Sequence, residues 1–376
     1  MPARLNRSDR TRVFMTADAV GGVWQYAIDL ARGLGTEGFA TTLAVLGPAP
    51  SWDQRDEARA IAGLRLLETG LPLDWTANSA RAVLEAGDAV AALASESGAD
   101  VVHLNSPGLA ASAQFSAPVL AVCHSCVATW WQAVRSGPPP RDFRWRTDLV
   151  RRGYLAADAL VAPTAAFAEA TARTYGLECA PRVVHNGRRL TPAPRAARAP
   201  DGPFVFTAGR LWDDGKNLAA LDRAASRLPW PVLAAGPSQG PHGASIALDH
   251  MRTFGSLPAA EVAAYLAPGP VFASLAHYEP FGLAVLEAAQ AGCPLVLSDI
   301  PTFRELWDGA ALFVPPQDDA MIAAALDGLL RDPAERARLG ARARERAARY
   351  TIEAMTAGVL AVYRDLLAGT LAEAAA

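Results

Sequence analysis

Short apolar runs alternate along the chain with longer segments whose apolar positions recur at helical spacing. The first set of strand-like runs lies at residues 12–17, 41–46, 101–104, 119–122 and 159–162. The second set lies at residues 204–208, 232–235, 271–274, 295–297 and 312–314. Helical patterns fill several intervals, among them residues 78–97, 217–227, 259–266, 282–291 and 318–330. This alternation predicts an α/β fold in which parallel sheets are covered by helices on both faces.

The chain length and one unpatterned segment predict how these elements divide. A chain of 376 residues is larger than a single hydrophobic core usually supports, so two domains are expected. Residues 191–203 are rich in Pro, Ala and Arg and lack periodicity, which is typical of a linker. We therefore expect an amino-terminal domain at residues 1–190, a carboxy-terminal domain at residues 191–350 and a terminal helix at residues 351–376.

Composition and charge argue against several classes of partner. The net charge of −3 and the pI of about 6.1 provide no global basic field for binding nucleic acid. Residues 104–134 contain no Asp, Glu, Lys or Arg, but several polar residues, Pro and Gly interrupt them, which indicates buried strand and loop rather than a membrane span. The apolar run at residues 13–17 is too short for the core of a signal peptide, so we expect a cytoplasmic protein.

The cysteines and the first glycine pair bear on metals and cofactors. Cys123-His124-Ser125-Cys126 has the spacing of a redox or zinc site, but no second pair accompanies it, which favours buried thiols beside a cleft. Gly21-Gly22 follows the first strand without the full dinucleotide fingerprint, and the second strand ends without an acidic residue for a ribose. A nicotinamide cofactor is therefore disfavoured, and no metal or other cofactor is predicted.

Two carboxylates bracket a tight turn that opens an apolar helix. Glu279 and Glu287 are eight positions apart, with Phe281-Gly282-Leu283 between them. On a helix this spacing separates them by roughly 12 Å along the axis, which exceeds the roughly 5 to 9.5 Å of a glycosidase pair. It suits the two ends of an extended ligand whose diphosphate faces backbone N–H groups at the helix N-terminus.

Two cations follow the first strand of the second set. Arg210 ends that strand and Lys216 precedes the next helix, with Trp212-Asp213-Asp214-Gly215 between them. Both are expected at the carboxyl edge of a parallel sheet, where open α/β folds bind ligands. They would neutralise a diphosphate leaving group.

Residues 279–298 closely resemble the signature of retaining GT-B glycosyltransferases of family 4. The resemblance implies two Rossmann-like domains that face a central cleft, with a C-terminal helix crossing back to the first domain. It implies transfer of a hexose from a nucleoside diphosphate sugar, of UDP-glucose or GDP-mannose type, to an acceptor hydroxyl with retention and without metal. Cell-envelope polysaccharide or glycolipid synthesis is the expected setting, and a small-molecule acceptor also fits.

The same resemblance implies roles for individual residues. The catalytic set is Arg210, Lys216, Glu279 and His124, and His124 matches a family histidine that contacts the donor sugar near its 6-position. Arg210 and Lys216 are six residues apart, whereas five is usual in the family. The donor-binding set is Gly21, Gly22, Gly255, Leu257, Phe281, Gly282, Leu283 and Glu287. Gly255 and Leu257 belong to a loop that resembles the family segment whose backbone reads the nucleobase.

An aromatic and basic cluster is the candidate acceptor region. It includes Trp130 and Trp131 among several arginines up to residue 152, and Asp18 is expected to face the same cleft. The cluster is compatible with stacking on a sugar acceptor, with peripheral contact to an anionic membrane at the inner face, or with an ordinary packed aromatic face. These interpretations stay open at the level of sequence.

Two other classes of protein share much of this pattern. A GT-B sugar-nucleotide epimerase would have the same fold but would convert the donor without an acceptor. A non-catalytic nucleotide-sugar-binding protein would keep the site and leave the donor intact. The spacing of Glu279 and Glu287 favours transfer over epimerisation.

Overall fold

The computed structural model describes residues 10–193, 199–240 and 243–375, and these form two parallel sheets. The first sheet has the order β3-β2-β1-β4-β5-β6-β7. Its strands are β1 Arg12–Asp18, β2 Ala40–Leu46, β3 Leu64–Glu68, β4 Val101–Leu104, β5 Val119–Val122, β6 Ala159–Ala162 and β7 Arg182–Val183. The helices of this half are α1 Gly22–Thr36, α2 Trp52–Arg59, α3 Ala80–Glu96, α4 Val127–Val134, α5 Arg141–Ala156 and α6 Ala165–Tyr175.

The second sheet has the order β10-β9-β8-β11-β12-β13. Its strands are β8 Val205–Ala208, β9 Val232–Ala235, β10 Arg252–Thr253, β11 Val271–Ser274, β12 Leu295–Ser298 and β13 Leu312–Val314. The helices are α7 Leu218–Ala225, α8 Ala259–Leu266, α9 Leu283–Ala291, α10 Pro301–Trp307, α11 Asp319–Arg331, α12 Pro333–Ala347 and α13 Ile352–Ala375. In both sheets the order reverses direction beside the first strand, as in doubly wound folds.

The central strands are apolar on both faces because helices cover both sides of each sheet. Every residue of β4, β5 and β9 is buried, as parallel strands between two helical layers require. Polar side chains cap the N-termini of two helices. Ser79 accepts from the N–H group of Ala82 at the start of α3, and Thr164 accepts from that of Phe167 at the start of α6. The predicted α/β fold of two Rossmann-like halves is confirmed.

The last helix, α13, packs on the first half. Met355, Val359 and Tyr363 are buried in one cluster with residues of β1 and α1. The Tyr363 hydroxyl also lies 2.7 Å from Nδ1 of His103 on β4, and Arg182 pairs with Asp365 at 2.7 Å. The predicted return of the C-terminal helix to the first half is therefore confirmed.

The chain crosses between the halves twice, and the two crossings touch. Arg188 N donates to Tyr350 O at 3.2 Å, and a Cβ placed on Gly187 would lie 2.0 Å from Thr351 O. We propose domain boundaries at residues 1–190, 191–350 and 351–376. Part of the predicted linker, residues 194–198, lies outside the described residues.

Candidate active site

The carboxyl edges of both sheets border one cleft of about 470 Å³. This is the edge at which open α/β sheets bind ligands. The cleft is lined by these residues that the sequence predicted: Gly21, Gly22, His124, Arg210, Lys216, Leu257, Glu279, Phe281, Gly282, Leu283 and Glu287. Motifs from both halves of the chain therefore converge on one place.

Arg210 follows β8 and reaches across the cleft to the glycine loop that follows β1. Its Nη2 donates to Asp213 Oδ2 at 2.9 Å, and a Cβ on Gly21 would lie 3.2 Å from its Nη1. The side chain is still 41% exposed, so its charge remains accessible to an anionic ligand. The glycine at position 21 allows the two halves to approach this closely.

Lys216 forms an ion pair with Glu279. Its loop is anchored by Asn217, whose φ of 55° is left-handed and whose Nδ2 donates to Leu275 O and Pro316 O at 3.0 and 2.8 Å. Asn tolerates that conformation better than most residues. The Glu279 backbone is fixed in turn, because Thr302 Oγ1 donates to its carbonyl at 2.7 Å.

The turn before α9 presents a helix N-terminus to the cleft. Gly282 has φ 90°, and a Cβ there would lie 3.2 to 3.3 Å from Phe303, Glu279 and Val285. Backbone conformation and space both select glycine at this position. Leu283 then begins the helix, and the N–H groups of its first turn carry the positive end of the helix dipole, which favours an anion.

Glu287, one turn further along α9, belongs to a bridge between the halves. Its Oε1 accepts from Arg188 Nε at 2.6 Å, and Arg188 Nη1 donates to Asp29 Oδ2 on α1 at 2.7 Å. The side chains of Arg188 and Asp29 are 6% and 4% exposed. Burial raises the pKa of Asp29, and the neighbouring Arg188 charge opposes that rise.

His124 follows β5 and is held by an amide. Its Nε2 lies 2.7 Å from Asn105 Oδ1, while Asn105 Nδ2 donates to Thr16 O at 2.7 Å. Because this second bond orients the amide, Nε2 of His124 is the donor and Nδ1 is left as an acceptor. Burial lowers the pKa of His124 to about 3. The neutral ring can therefore accept a hydrogen bond from a hydroxyl group in the cleft.

His103 and His124 have lowered pKa values, which predicts a loss of stability in acid. Burial, with a smaller effect of His124, lowers the pKa of His103 to about 3, similar to that of His124. An unfolded chain protonates histidine near pH 6.5, so between pH 6.5 and 3 the unfolded state binds more protons. Each histidine is therefore expected to lower the free energy of unfolding as the pH falls through that window, by up to about 1.4 kcal/mol per pH unit. Asp74, whose pKa burial raises to about 6, acts in the opposite direction, so the histidine contribution is the difference between variants.

Urea unfolding at pH 7, 6 and 5 measures this slope. His124→Asn should remove the contribution of one histidine from this slope. His250→Asn, at an exposed position, should leave the slope unchanged. Equal slopes for the wild type and His124→Asn would contradict the expectation.

Four predicted site residues, Asp18, Gly255, Trp130 and Trp131, are not among those that line the cleft. Asp18 Oδ1 accepts from Val20 N at 2.9 Å, and burial raises its pKa. Gly255 O accepts from Gly236 N at 2.7 Å. Trp130 Nε1 donates to Asp213 Oδ1 at 3.0 Å, and Trp131 Nε1 donates to Gly137 O at 2.9 Å.

Three residues of the site were not predicted from the sequence. Arg188 pairs with Glu287, 99 residues away, and with Asp29, 159 residues away. Asp213 pairs with Arg210. Asp213 lies between Arg210 and Lys216, and its proximity to both was the one available signal.

Other features of the described chain limit the chemistry. Cys123 and Cys126 are buried and unpaired, and burial raises the pKa of the Cys123 thiol to about 12. Within the described ranges, no group of three or more His, Cys, Asp or Glu side chains is arranged to hold a metal ion. None of the described helices is both long and apolar enough to cross a membrane.

Comparisons with known proteins agree with this geometry. Residues 20–192 match the family described as Glycosyltransferase Family 4, and residues 243–346 match the one described as Glycosyl transferases group 1. Glycogen synthase of Mycobacterium tuberculosis is 30% identical over 298 residues, which cover 72% of this chain and 70% of that protein. Phosphatidyl-myo-inositol mannosyltransferase of Mycolicibacterium smegmatis is 34% identical over 178 residues, covering 44% and 46%.

A solved structure extends the likeness to the whole fold. Sucrose-phosphate synthase from Thermosynechococcus elongatus superposes with a TM-score of 0.80 at 21% identity, covering 96% of this chain and all of that one. Two doubly wound halves that face one cleft form a GT-B fold. The chain belongs to the family 4, group 1 glycosyltransferases.

Proposed function

We propose that the protein transfers a hexose, with retention of configuration, from a nucleoside diphosphate sugar of UDP-glucose or GDP-mannose type to an acceptor hydroxyl. The convergence of Arg210, Lys216 and the N-terminus of α9 on one cleft carries this proposal. These groups offer three sources of positive charge to a diphosphate. Glu287 on the same helix provides a carboxylate for the ribose of the donor.

The proposed reaction is a displacement on one face of the sugar. The acceptor oxygen bonds to the anomeric carbon as the bond from that carbon to the diphosphate breaks, and a diphosphate oxygen takes the acceptor proton. Glu279 is engaged by Lys216, which supports a role in positioning rather than as a nucleophile. Charge stabilisation by Arg210 and Lys216 then supplies most of the catalysis without a metal.

The acceptor is proposed to approach from the first half, near His124. The relatives include a glycogen synthase, a phosphatidyl-myo-inositol mannosyltransferase and a D-inositol 3-phosphate glycosyltransferase, and we propose a sugar, lipid-linked or small-molecule acceptor. The acceptor roles of Asp18, Trp130 and Trp131, and peripheral contact with a membrane, stay predictions.

Calorimetric titration tests the donor site directly. Purified protein is titrated with UDP-glucose, GDP-mannose, UDP, GDP and NAD in the presence of EDTA. Micromolar binding of one nucleoside diphosphate series is expected and identifies the base, whereas binding of NAD alone, or of none of the five, would contradict the proposal. Release of sugar to an acceptor then separates a transferase from an epimerase or a binding protein.

Glu287→Ala is expected mainly to weaken donor binding. The loss of a charge-assisted hydrogen bond to the ribose should raise the donor Kd by about tenfold to a hundredfold, with a smaller effect on kcat. Calorimetry and initial rates measure the two quantities. Glu261→Ala, at an exposed position on α8, is the control, and an unchanged donor Kd in folded Glu287→Ala protein would refute the assignment.

A further inference from the structure

Helix α4 belongs to the first half but lies against the catalytic loops of the second. At its N-terminus, Cys126 N donates to the Tyr278 hydroxyl at 3.1 Å, and Thr129 Oγ1 lies 2.8 Å from the same hydroxyl. Further along, Trp130 Nε1 donates to Asp213 at 3.0 Å. The helix therefore touches the loop that carries Glu279 and the loop that carries Arg210.

Asp213 is the point at which α4 meets Arg210. Its Oδ1 accepts from Trp130 Nε1 at 3.0 Å and from Gly215 N at 2.9 Å, while its Oδ2 accepts from Arg210 Nη2 at 2.9 Å. The Asp213 side chain is only 8% exposed. Burial opposes its ionisation, but Arg210 and the hydrogen bonds outweigh that effect and lower its pKa. A charged carboxylate thus links an indole of one half to the guanidinium of the other.

Gly215 shows how closely the indole is seated. A Cβ at this position would lie 2.8 Å from Trp130 Nε1 and 3.0 Å from Asp213 Oδ1. The Gly215 carbonyl also accepts from the N–H groups of His277 and Tyr278, at 2.9 and 3.2 Å. Contact of Trp130 with this segment is therefore transmitted both to Arg210 and to the backbone that leads to Glu279.

The spacing of this loop supplies the contacts. Residues 211–215 lie between Arg210 and Lys216 and contribute Asp213 and Asp214. Asp214 forms an ion pair with Arg135 at the end of α4, but both side chains are well exposed and such pairs contribute little. The bond from Trp130 to Asp213 is better shielded from water, because the Asp213 side chain is only 8% exposed.

We propose that Trp130 and Asp213 are positioning residues that orient Arg210 only when the two halves are closed on each other. This inference rests on the proposed function and assigns the closed state a catalytic consequence. If the halves separate, Asp213 loses its hydrogen bond from the Trp130 indole. Arg210 then still pairs with Asp213, but the Asp213 carboxylate is held less firmly in position. Donor binding depends mainly on the second half, so the coupling acts on turnover.

Trp130→Phe removes the indole N–H while keeping an aromatic ring. We expect kcat to fall by about tenfold or more, as for the loss of a hydrogen bond to a charged group, with the donor Kd within about threefold of wild type. Trp230→Phe is the matched control, because Trp230 Nε1 also donates to an aspartate, Asp327, at 3.0 Å, away from the cleft lining. It should keep wild-type kcat.

A double substitution tests whether Trp130 acts through Arg210. In an Arg210→Ala background, Trp130→Phe should have little further effect on kcat, because coupled residues are not additive. Gly215→Ala gives a second route, since its added methyl would crowd both the Trp130 indole and Asp213 Oδ1 and disturb their bond without replacing either residue. It should lower kcat to a similar extent. Equal effects of Trp130→Phe in both backgrounds, or parallel losses of kcat and donor affinity, would overturn the proposal.

Small-angle X-ray scattering provides a readout that does not need activity. Trp130→Phe should increase the radius of gyration in the absence of donor, whereas Trp230→Phe should not. An unchanged radius in Trp130→Phe would contradict the coupling to closure. A wild-type protein that binds no donor and transfers no sugar would contradict the proposed function alone, and scattering would still decide on the contact between the halves.

Discussion

Arg210→Ala is expected to lower kcat by about a hundredfold to a thousandfold while changing the donor Kd much less. Negative charge builds up on the diphosphate as its bond to the sugar breaks, so a cation there contributes most in the transition state. Arg210 is suited to this because it lines the cleft, keeps part of its surface exposed and is oriented by Asp213. Among the expected effects on activity, this is the largest.

Initial rates and calorimetric donor titration measure the two quantities separately. Arg227→Ala, an exposed position just after α7, serves as the control and should retain wild-type rates. Arg210→Lys keeps the charge but not the forked geometry, and should recover only part of the loss. Wild-type kcat in a folded Arg210→Ala protein would remove Arg210 from the mechanism.

Arg188→Met is expected to reduce the free energy of unfolding by about 3 to 5 kcal/mol. The substitution keeps an unbranched apolar stem but leaves Asp29 without its hydrogen-bonded cationic partner, and removing one member of a buried pair has an effect of this size. Asp29 is almost fully buried, so water does not replace the lost interaction. Glu287 is more exposed and should contribute less to the loss.

Urea denaturation of the purified variants measures the change. Arg189→Met makes the same substitution at an exposed neighbouring position. The Arg189 charge acts on Asp29 more weakly than that of Arg188, so this variant should stay within about 0.5 kcal/mol of wild type. Adding Asp29→Leu to Arg188→Met should restore part of the stability, because it removes the uncompensated carboxylate. A loss no larger than that of Arg189→Met would show that the bridge contributes little.

The sequence predicted best the elements whose pattern is local and fully apolar. β4, β5 and β11 have the predicted bounds because helices cover both faces and, apart from His103 on β4, every position is apolar or small. β3 was missed because Arg65 and Glu68 interrupt an edge strand that is only partly buried. β7 and β10 have two residues each, which is too short to show a period.

The candidate site divides in the same way. Arg210 lies two residues after β8, and Lys216 and Gly282 lie just before α7 and α9, so their position at the sheet edge could be predicted. The bond from Trp130 to Asp213 joins residues 83 positions apart, and the link from Arg188 to Asp29 joins residues 159 apart. Pairings of this kind depend on how the two halves meet, which spacing within one segment does not encode.

The adjacent crossings of the chain have a consequence for the order of events in a catalytic cycle. With Gly187 and Thr351 in contact, the two covalent connections should act as one hinge about which the halves rotate apart. Glu287 pairs with Arg188 next to this hinge, so it should move least relative to the first half. We therefore expect the donor to bind first to the open molecule through its ribose. The contacts to its diphosphate would then form as the two halves close.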